Sequence, residues 1–447
     1  MIAPLTEEIG VAGQTLRGVA ADAQRRYVAW RAPAEGGEAY AASFRSTIEA
    51  RGGWRRALAG DASAIVRSGS LVVAAVGGAG DVAGVQLRGA PAGVVVGLDA
   101  ATGEPRWRTA IDASEWAVIA SLAPIGATGD VLVGGSFSGT LRASPVATGA
   151  TVPTGATVPT GATGAAGATV PTGAAGDASK IVSSGGRSDG FVARMSATGV
   201  VTWLIRVGGP GADAVQGVAA SATGERVAIA GTFSGSGAEL LGAPLAAFDE
   251  KSPHLDGFVG ELDPATGARR WSAAFGGKLD EAVAGVAIDG KGRTVVAASA
   301  RATVHVGGSD LVAQGDADGL VAWWRADGTL GSATLVGGLG ADGLRAIVAT
   351  GDRVVVAGYF TTTIQLGARA HHADGDDAFL AAFDGDTVVA SWPLTGEGRE
   401  EIAALAPLPG GFLAAITHTA RTSADGTDLP APADPLAGAA LLVRGVP

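Results

Sequence analysis

Short apolar runs separated by turn residues repeat along most of the chain. In the stretch that begins at Gly185, the runs are 191–195, 201–207, 215–219 and 227–230. Each run is bounded by Gly, Asp, Ser or Thr, which allow positive φ or bond their own backbone, and helical spacing is not evident. The pattern therefore predicts four short strands in an antiparallel meander.

This unit recurs. The segment that follows the acidic turn occurs seven times, so first strands are predicted to begin near Arg17, Ala64, Val118, Gln216, Val283, Leu344 and Ile402. The other pair of strands occurs six times, and a seventh copy, AGAALLVRGVP, lacks its last strand. Residues 1–5 are apolar enough to supply it beside 439–444. The sequence predicts one all-β domain, 1–447: a seven-bladed β-propeller of four-stranded antiparallel blades, closed by the N-terminal strand.

The repeats also resemble known families. The segment DGFVARMSATGVVTWLIRVGGPGADAVQGVAASATGERVAIAGTFSG resembles the SBBP repeat of bacterial proteins, and VVVGLDAATGEPRW and VGELDPATGARRW resemble the repeat of PQQ-like propellers. The resemblance covers nearly the whole chain outside 145–180. It implies a propeller, often extracytoplasmic, and no particular reaction, because such folds carry unrelated functions.

One segment breaks the pattern. Residues 147–177 repeat a Thr-Val-Pro-Thr-Gly-Ala unit with no charge before Asp177 and no aromatic side chain. Such a segment buries too little to offset the entropy of ordering it, so it is predicted to be a mobile or extended loop inserted in the third blade. Two readings stay open: a tolerated expansion of a surface loop, or a glycosylated or partner-binding arm.

Strand order predicts which connections share a face. In a meander the second-to-third connections and the blade-to-blade connections lie at the same end of the sheets. The long second-to-third connections include 235–255, 301–317, 361–376 and 418–437, whereas the opposite end carries short turns such as SATG and DPATG. Because binding residues often lie on variable loops held by a rigid scaffold, the long-loop face is the predicted binding face.

Acidic residues precede most predicted first strands. They are Asp61, Asp112, Asp213, Asp280, Asp342 and Glu400. At equivalent positions they would form a ring of carboxylates at the channel mouth, which can hold a divalent cation or a basic ligand. Alternatively, each carboxylate caps its own tight turn through backbone amides.

Three further residues on this face are candidates for ligand contact. His371 and His372, beside Asp374, Asp376 and Asp377, resemble a metal-ligand cluster, although adjacent residues of an extended segment point to opposite sides. A solvated polar loop is the alternative. Trp116 lies just before a predicted first strand, near the channel mouth. In contrast, one Trp recurs in five fourth strands, which favours packing between blades: Trp54, Trp107, Trp203, Trp271 and Trp392.

Composition excludes several classes of function. The net charge of −11 argues against a nucleic-acid partner, and no run of 18 apolar residues predicts a membrane span. The absence of cysteine removes disulfides and thiolate chemistry. Residues 1–30 lack the order of a secretory signal, so a cytoplasmic location stays open beside the extracytoplasmic one that the resemblance implies.

No catalytic signature such as GxSxG, HExxH or a P-loop is present. The sequence therefore predicts a non-catalytic scaffold or sensor, monomeric by itself, that binds a protein or peptide on the long-loop face without a cofactor. A lectin-like surface module is the first alternative, weakened because the chain has no Asn. A quinoprotein-like enzyme is the second, weakened by the absence of the vicinal cysteines that such dehydrogenases often carry.

Overall fold

The computed structural model describes residues 5–8, 15–22, 24–33, 44–51, 53–87, 91–146, 179–249, 254–373, 375–420, 422–424, 427–429 and 438–446. Within these ranges the chain is all-β and contains no helix. The predicted insertion, 147–177, lies outside the described residues.

The strands follow in chain order. The first fourteen are β1 (Leu5–Glu8), β2 (Thr15–Ala21), β3 (Arg26–Pro33), β4 (Phe44–Ala50), β5 (Arg55–Ala59), β6 (Asp61–Ser68), β7 (Leu71–Gly78), β8 (Asp81–Val82), β9 (Val85–Gln86), β10 (Ala92–Asp99), β11 (Pro105–Ala113), β12 (Trp116–Ile125), β13 (Asp130–Ser138) and β14 (Thr140–Val146). The next thirteen are β15 (Lys180–Ser183), β16 (Asp189–Met195), β17 (Val201–Gly208), β18 (Ala214–Ala220), β19 (Val227–Ser234), β20 (Glu239–Leu240), β21 (Ala243–Pro244), β22 (Leu255–Leu262), β23 (Arg269–Gly277), β24 (Ala282–Ile288), β25 (Thr294–Ala300), β26 (Thr303–Val306) and β27 (Ser309–Val312). The last thirteen are β28 (Asp318–Trp324), β29 (Leu330–Val336), β30 (Gly343–Thr350), β31 (Arg353–Phe360), β32 (Thr363–Leu366), β33 (Arg369–His372), β34 (Asp377–Asp384), β35 (Thr387–Gly396), β36 (Glu400–Leu408), β37 (Gly411–His418), β38 (Thr422–Ala424), β39 (Thr427–Asp428) and β40 (Gly438–Gly445).

These strands form antiparallel sheets, numbered here in chain order. Four consecutive strands of a meander make the body of each: sheet 1 is β2–β5, sheet 2 is β6, β7, β10 and β11, sheet 3 is β12, β13, β16 and β17, sheet 4 is β18, β19, β22 and β23, sheet 5 is β24, β25, β28 and β29, sheet 6 is β30, β31, β34 and β35, and sheet 7 is β36, β37, β40 and β1. The predicted starting points of all seven first strands lie within β2, β6, β12, β18, β24, β30 and β36.

The first and last described strands pair with each other. Strand β1 lies antiparallel to β40, with Leu5 opposite Val443 and Glu8 opposite Ala440. This pairing places β1 at the edge of sheet 7. The paired strand is Leu5–Glu8, whereas the sequence predicts 1–5, of which residues 1–4 lie outside the described residues.

The apolar core lies between neighbouring sheets. Each cluster of buried side chains combines residues of two sheets that follow each other in the chain, and one further cluster packs Leu16 and Trp30 of sheet 1 against Leu413 and Val443 of sheet 7. The first strand of each sheet also contacts the first strand of the next, including β36 with β2. Sheets packed face to face around an axis in this way have the β-propeller architecture.

The recurring tryptophans contribute to this packing. The indole Nε1 of Trp54 donates to Ala100 O at 3.0 Å, and that of Trp203 donates to Pro264 O at 2.9 Å. In each case the acceptor lies in the third-to-fourth turn of the following sheet, where a glycine such as Gly267 leaves room for the ring. The prediction of packing between sheets is therefore confirmed for these residues.

Candidate functional site

A cavity of about 380 Å³ lies where the first strands converge. Every first strand from β2 to β36 contributes to its wall, mostly with Ala, Val, Ile and Gly. Arg17 and Gln216 add polar groups, and Gln216 Nε2 donates to Thr232 Oγ1 at 2.8 Å. Among the described residues that line this cavity there is no carboxylate, so its walls offer a ligand mainly apolar and backbone contacts.

The second-to-third connections are more ordered than the sequence indicates. Their described residues contain antiparallel strand pairs, namely β8–β9, β14–β15, β20–β21, β26–β27, β32–β33 and β38–β39. Four of these strand pairs bond to the fourth strand of the preceding sheet and extend sheets 2, 3, 4 and 6 to six strands. The expectation of four strands per sheet is thus wrong for these sheets, because residues such as Val304 and Leu240 are buried and the hairpins that carry them pack on the sheet edge.

The acidic residues before the first strands fall into two groups. Each first strand has a one-residue bulge, for example between Val215 and Gly217 or between Val283 and Gly285. The bulge therefore serves as a common reference for identifying equivalent positions in the seven first strands. We count from the last paired residue before the bulge, such as Val215. The residue two positions earlier is Asp213 just before β18, Asp342 just before β30 and Glu400 at the start of β36. Before β24 it is Glu281, so Glu281 takes the position that the sequence pattern assigned to Asp280.

The carboxylates of Asp213 and Asp342 bond their own turns. Asp213 accepts from Gly209 N at 2.6 Å and from Ser234 N at 3.1 Å. Asp342 accepts from Gly338 N at 2.6 Å and from Thr361 N at 3.3 Å. Both side chains are buried. The geometry thus matches the turn-capping alternative at these two positions.

The structure does not bring Asp61, Asp112 and Asp280 to the position that Asp213, Asp342 and Glu400 share. Asp61 is the first residue of β6, one position later in register, and its carboxylate lies 3.9 Å from Arg17 Nε. Asp112 lies inside the fourth strand β11, opposite Arg142. Asp280 is exposed and accepts from Leu255 N at 2.8 Å. Glu400 is buried and accepts from Thr422 Oγ1 at 2.6 Å.

The remaining candidates also lie apart. His371 and His372 are consecutive residues of β33, so their side chains point to opposite sides, and His372 Nδ1 lies 2.7 Å from Thr363 Oγ1. Trp116 is the half-buried first residue of β12, opposite Ser138. A binding role for these residues stays a prediction. Across the described ranges, no group of three or more His, Asp and Glu side chains is arranged to hold a metal ion.

Sequence reasoning did not recognise a second set of buried acids, although it named one member, Asp377, beside the two histidines. Asp189, Asp256, Asp318 and Asp377 begin or nearly begin the third strands of sheets 3 to 6 and are at most 3% exposed. Each lies beside the acid that precedes the next first strand, because the residue before it, such as Ser188 or Ala317, accepts the backbone N–H of that acid. The Asp-Gly dipeptide that recurs at Asp189, Asp256 and Asp318 is the signal that could have identified three of them.

Exposed apolar side chains gather on the long-loop face. Phe248 (38% exposed), Leu279 (38%), Val312 (66%) and Leu339 (80%) lie in second-to-third or sheet-to-sheet connections around sheets 4 and 5. The Phe248 ring stacks on the His305 ring of β26 at 5.7 Å, and Val312 ends β27 of the same hairpin. Leu339 borders Gly315, three residues after Val312. We call these four residues the apolar patch.

The surroundings of the apolar patch are acidic. Asp249, Asp280, Asp310 and Asp316 lie within four residues of a member of the apolar patch, against the cations Lys278 and Arg301 at the same end of the sheets. His254 and His305 bond Asp280 and Asp310, at 3.3 and 2.5 Å. Among the described residues, carboxylates therefore outnumber cations in the segments that carry the apolar patch.

No protein-family model and no curated protein sequence matches this chain, so the resemblance to SBBP and PQQ-like repeats stays a prediction. Solved structures are similar at low identity. The WD40 domain of Toxoplasma gondii coronin matches 98% of this chain and 86% of its own at 11% identity, with a TM-score of 0.44. A PL25 ulvan lyase matches 94% and 97% at 9% identity (TM-score 0.44), and the quinohemoprotein alcohol dehydrogenase of Comamonas testosteroni matches 96% and 76% at 9% (TM-score 0.37). In the part of the chain that the structure describes, no helix has the length and hydropathy needed to cross a membrane.

Proposed function

We propose that the chain is a closed seven-bladed β-propeller that acts as a non-catalytic scaffold and binds a protein segment at the apolar patch. Closure is supported by the pairing of β1 with β40 and by the cluster that packs Trp30 against Leu413. A closed ring leaves no free sheet at either end of the repeat and holds the connections of neighbouring sheets at fixed positions.

The observation that carries the binding proposal is the grouping of the exposed apolar side chains. Phe248, Leu279, Val312 and Leu339 are four of the six large apolar side chains that the described residues expose, and all four lie at one end of sheets 4 and 5. Contiguous apolar groups rimmed by polar residues mark interaction sites on soluble proteins. Because carboxylates outnumber cations in the described segments that carry the apolar patch, the occupant is an apolar segment flanked by Lys or Arg.

The test is selection of displayed peptides against the immobilised protein. Enriched peptides are expected to combine Leu, Ile or Phe with Lys or Arg, and Val312→Ser with Leu339→Ser is expected to weaken their binding at least about tenfold. Val200→Ser is the matched control, since Val200 is 40% exposed in a turn at the opposite end of the sheets. Peptides that bind the double variant as well as the wild type would overturn the site.

The same preparations separate the alternatives. Binding of glycans that survives the double substitution would favour a lectin-like module. Oxidation of an alcohol that depends on added quinone would favour the quinoprotein-like enzyme. Either result contradicts the non-catalytic peptide-binding proposal.

A further inference from the structure

At each of three sheet junctions, two carboxyl groups are buried on segments that are hydrogen-bonded to each other. The pairs are Asp189 with Asp213, Asp256 with Glu281, and Asp318 with Asp342. In each pair the first acid opens the third strand of one sheet and the second precedes the first strand of the next. Asp213 N donates to Ser188 O at 2.9 Å, and Asp342 N donates to Ala317 O at 2.8 Å, so the backbone itself places each second acid next to the first.

The glycine pair GG in the connecting segments makes room for this arrangement. A Cβ atom on Gly208 would collide with Asp189 Oδ1 and also with Asp213 Oδ2, which shows that the two oxygens lie against the same glycine. The equivalent glycines five residues before Glu281 and Asp342 are Gly276 and Gly337. A Cβ there would collide with Oδ1 of Asp256 and of Asp318.

One oxygen of each third-strand acid lacks a hydrogen-bond donor. Asp189 Oδ2 accepts from Gly185 N, and Asp318 Oδ2 accepts from Gln314 N at 3.0 Å. The other oxygen, Oδ1, has no partner among the described residues in Asp189, Asp256 and Asp318. Two ionised carboxylates buried at one junction repel each other and are costly to desolvate. The Arg206 guanidinium, 3.8 Å from Asp189, offsets part of this cost in the first pair.

We propose that each of these three junctions holds one proton between its two carboxyl groups, so that a carboxyl–carboxylate hydrogen bond joins neighbouring sheets at acidic pH and is lost at alkaline pH. In the pairs Asp189–Asp213 and Asp318–Asp342 the shared proton supplies the donor that the unpartnered oxygen lacks. In the third pair it supplies one donor among three such oxygens, which are Asp256 Oδ1 and both oxygens of Glu281. Like charges in a shared buried site titrate in this way as a coupled pair.

The groups around each pair agree with this assignment. Burial and the Asp189 charge raise the pKa of Asp213 to about 6, although Arg206, 3.8 Å from Asp189, opposes the shift. Burial raises the pKa of Glu281 to about 8, and the negative charges of Asp256 and Asp280 contribute to this rise. Burial raises the pKa of Asp256. The charge of Asp249 raises it further, whereas His254 lowers it.

The third pair is the simplest electrostatically. Burial and the Asp318 charge raise the pKa of Asp342 to about 6, and burial raises the pKa of Asp318. Because the folded-state pKa values lie above the unfolded ones, the stability from these groups is fully present below about pH 4 and is lost as pH rises through about 6 to 8.

The experiment is thermal unfolding of the full chain between about pH 5 and about pH 9, with and without EDTA or CaCl₂. The wild-type Tm is expected to fall by roughly 3 to 8 °C towards alkaline pH. In the triple variant Asp189→Asn, Asp256→Asn and Asp318→Asn, an amide donor replaces the shared proton, so the fall should be much smaller and the Tm at about pH 9 should exceed that of the wild type. Asp263→Asn, in an exposed turn, is the control and should keep the wild-type slope.

A spectroscopic readout keeps the proposal testable if the triple variant folds poorly. The carboxylic-acid C=O stretch in the infrared spectrum of the wild type is expected to be present at about pH 5, where carboxyl groups with ordinary pKa values are mostly ionised, and to disappear at alkaline pH. A wild-type Tm that is unchanged or rises towards alkaline pH, or the absence of this band at about pH 5, would overturn the proposal. A Tm increase produced by calcium at alkaline pH would do the same, because it would assign a cation to the pair.

Discussion

The indole Nε1 of Trp107 in sheet 2 donates a hydrogen bond to Ala197 O in sheet 3 at 2.8 Å, while Gly199, at a φ of 79°, lies beneath its ring. Trp107 is 9% exposed. We expect Trp107→Ala to lower the free energy of unfolding by about 3 to 5 kcal/mol, because it removes a large buried ring and its hydrogen bond. Urea unfolding followed by circular dichroism measures the change.

Trp116→Ala provides the comparison, since that side chain is half-buried at the start of a strand. Trp116→Ala should lower the free energy of unfolding clearly less than Trp107→Ala does. Equal losses for the two variants would mean that the recurring tryptophans are not special contacts between sheets.

In the ion pair between Arg226 and Glu261, the carboxylate is buried and the guanidinium is partly exposed. Glu261 is 1% exposed, accepts from Arg226 Nε at 3.1 Å and accepts from Thr294 Oγ1 at 2.5 Å. We expect Glu261→Gln to cost about 3 kcal/mol, because it leaves the Arg226 guanidinium without its counter-charge in a partly buried site. Asp384→Asn, which removes the exposed pair with Lys291, should leave urea unfolding nearly unchanged.

Gly208 tests the packing at the junction of sheets 3 and 4 independently of pH. Gly208→Ala should destabilise strongly, because its Cβ would meet two carboxyl oxygens and because its φ is 140°. Gly235→Ala, at a φ of 70° with no atom within 4 Å of the new Cβ, should cost only about 1 kcal/mol. If both variants have the same chemical-denaturation midpoint, the carboxyl groups do not lie against Gly208 as described.

The periodic part of the fold was accessible to sequence reasoning. Apolar runs bounded by turn residues predicted where first strands lie, because alternation such as that from Val215 to Ala219 follows directly from a half-buried strand. Recurrence of Trp107 and Trp203 at one place in the repeat predicted packing between sheets for the same reason. A short apolar run is weak evidence for a strand by itself, but its recurrence at the same place in each repeat makes the strand prediction reliable.

The site was less accessible, because its geometry depends on non-local pairing. Glu281, rather than Asp280, is equivalent to Asp213 because each lies two residues before the bulge of its first strand. The position of that bulge depends on pairing with the second strand, so no pattern of single residues reveals it. Exposure was equally hidden: Val312 and Val304 belong to one hairpin and have the same side chain, yet the first is 66% exposed and the second is buried. Only the docking of the hairpin on β23 distinguishes them.

Two equivalent turns in sheets 2 and 4 give a pH dependence opposite to that of the buried pairs. The Asp99 carboxylate accepts from Arg106 Nη2 at 2.7 Å and from the backbone of Ala101 and Thr102, and the Arg106 hydrogen bond lowers the pKa of Asp99 to about 2. Thr266 and Arg270 lower the pKa of Asp263 in the same way.

Because these folded-state pKa values lie below the unfolded ones, their stabilisation is present above about pH 4 and is lost as pH falls towards about 2. Asp99→Asn and Asp263→Asn should therefore lower the Tm at about pH 6, and the difference from wild type should shrink at about pH 3. The two turns lie in different sheets, so the double variant should show the sum of the single losses. Single-variant losses that persist undiminished at about pH 3 would mean that the carboxylate charge is not what stabilises these turns, since the amide of Asn retains the acceptor oxygen but not the charge.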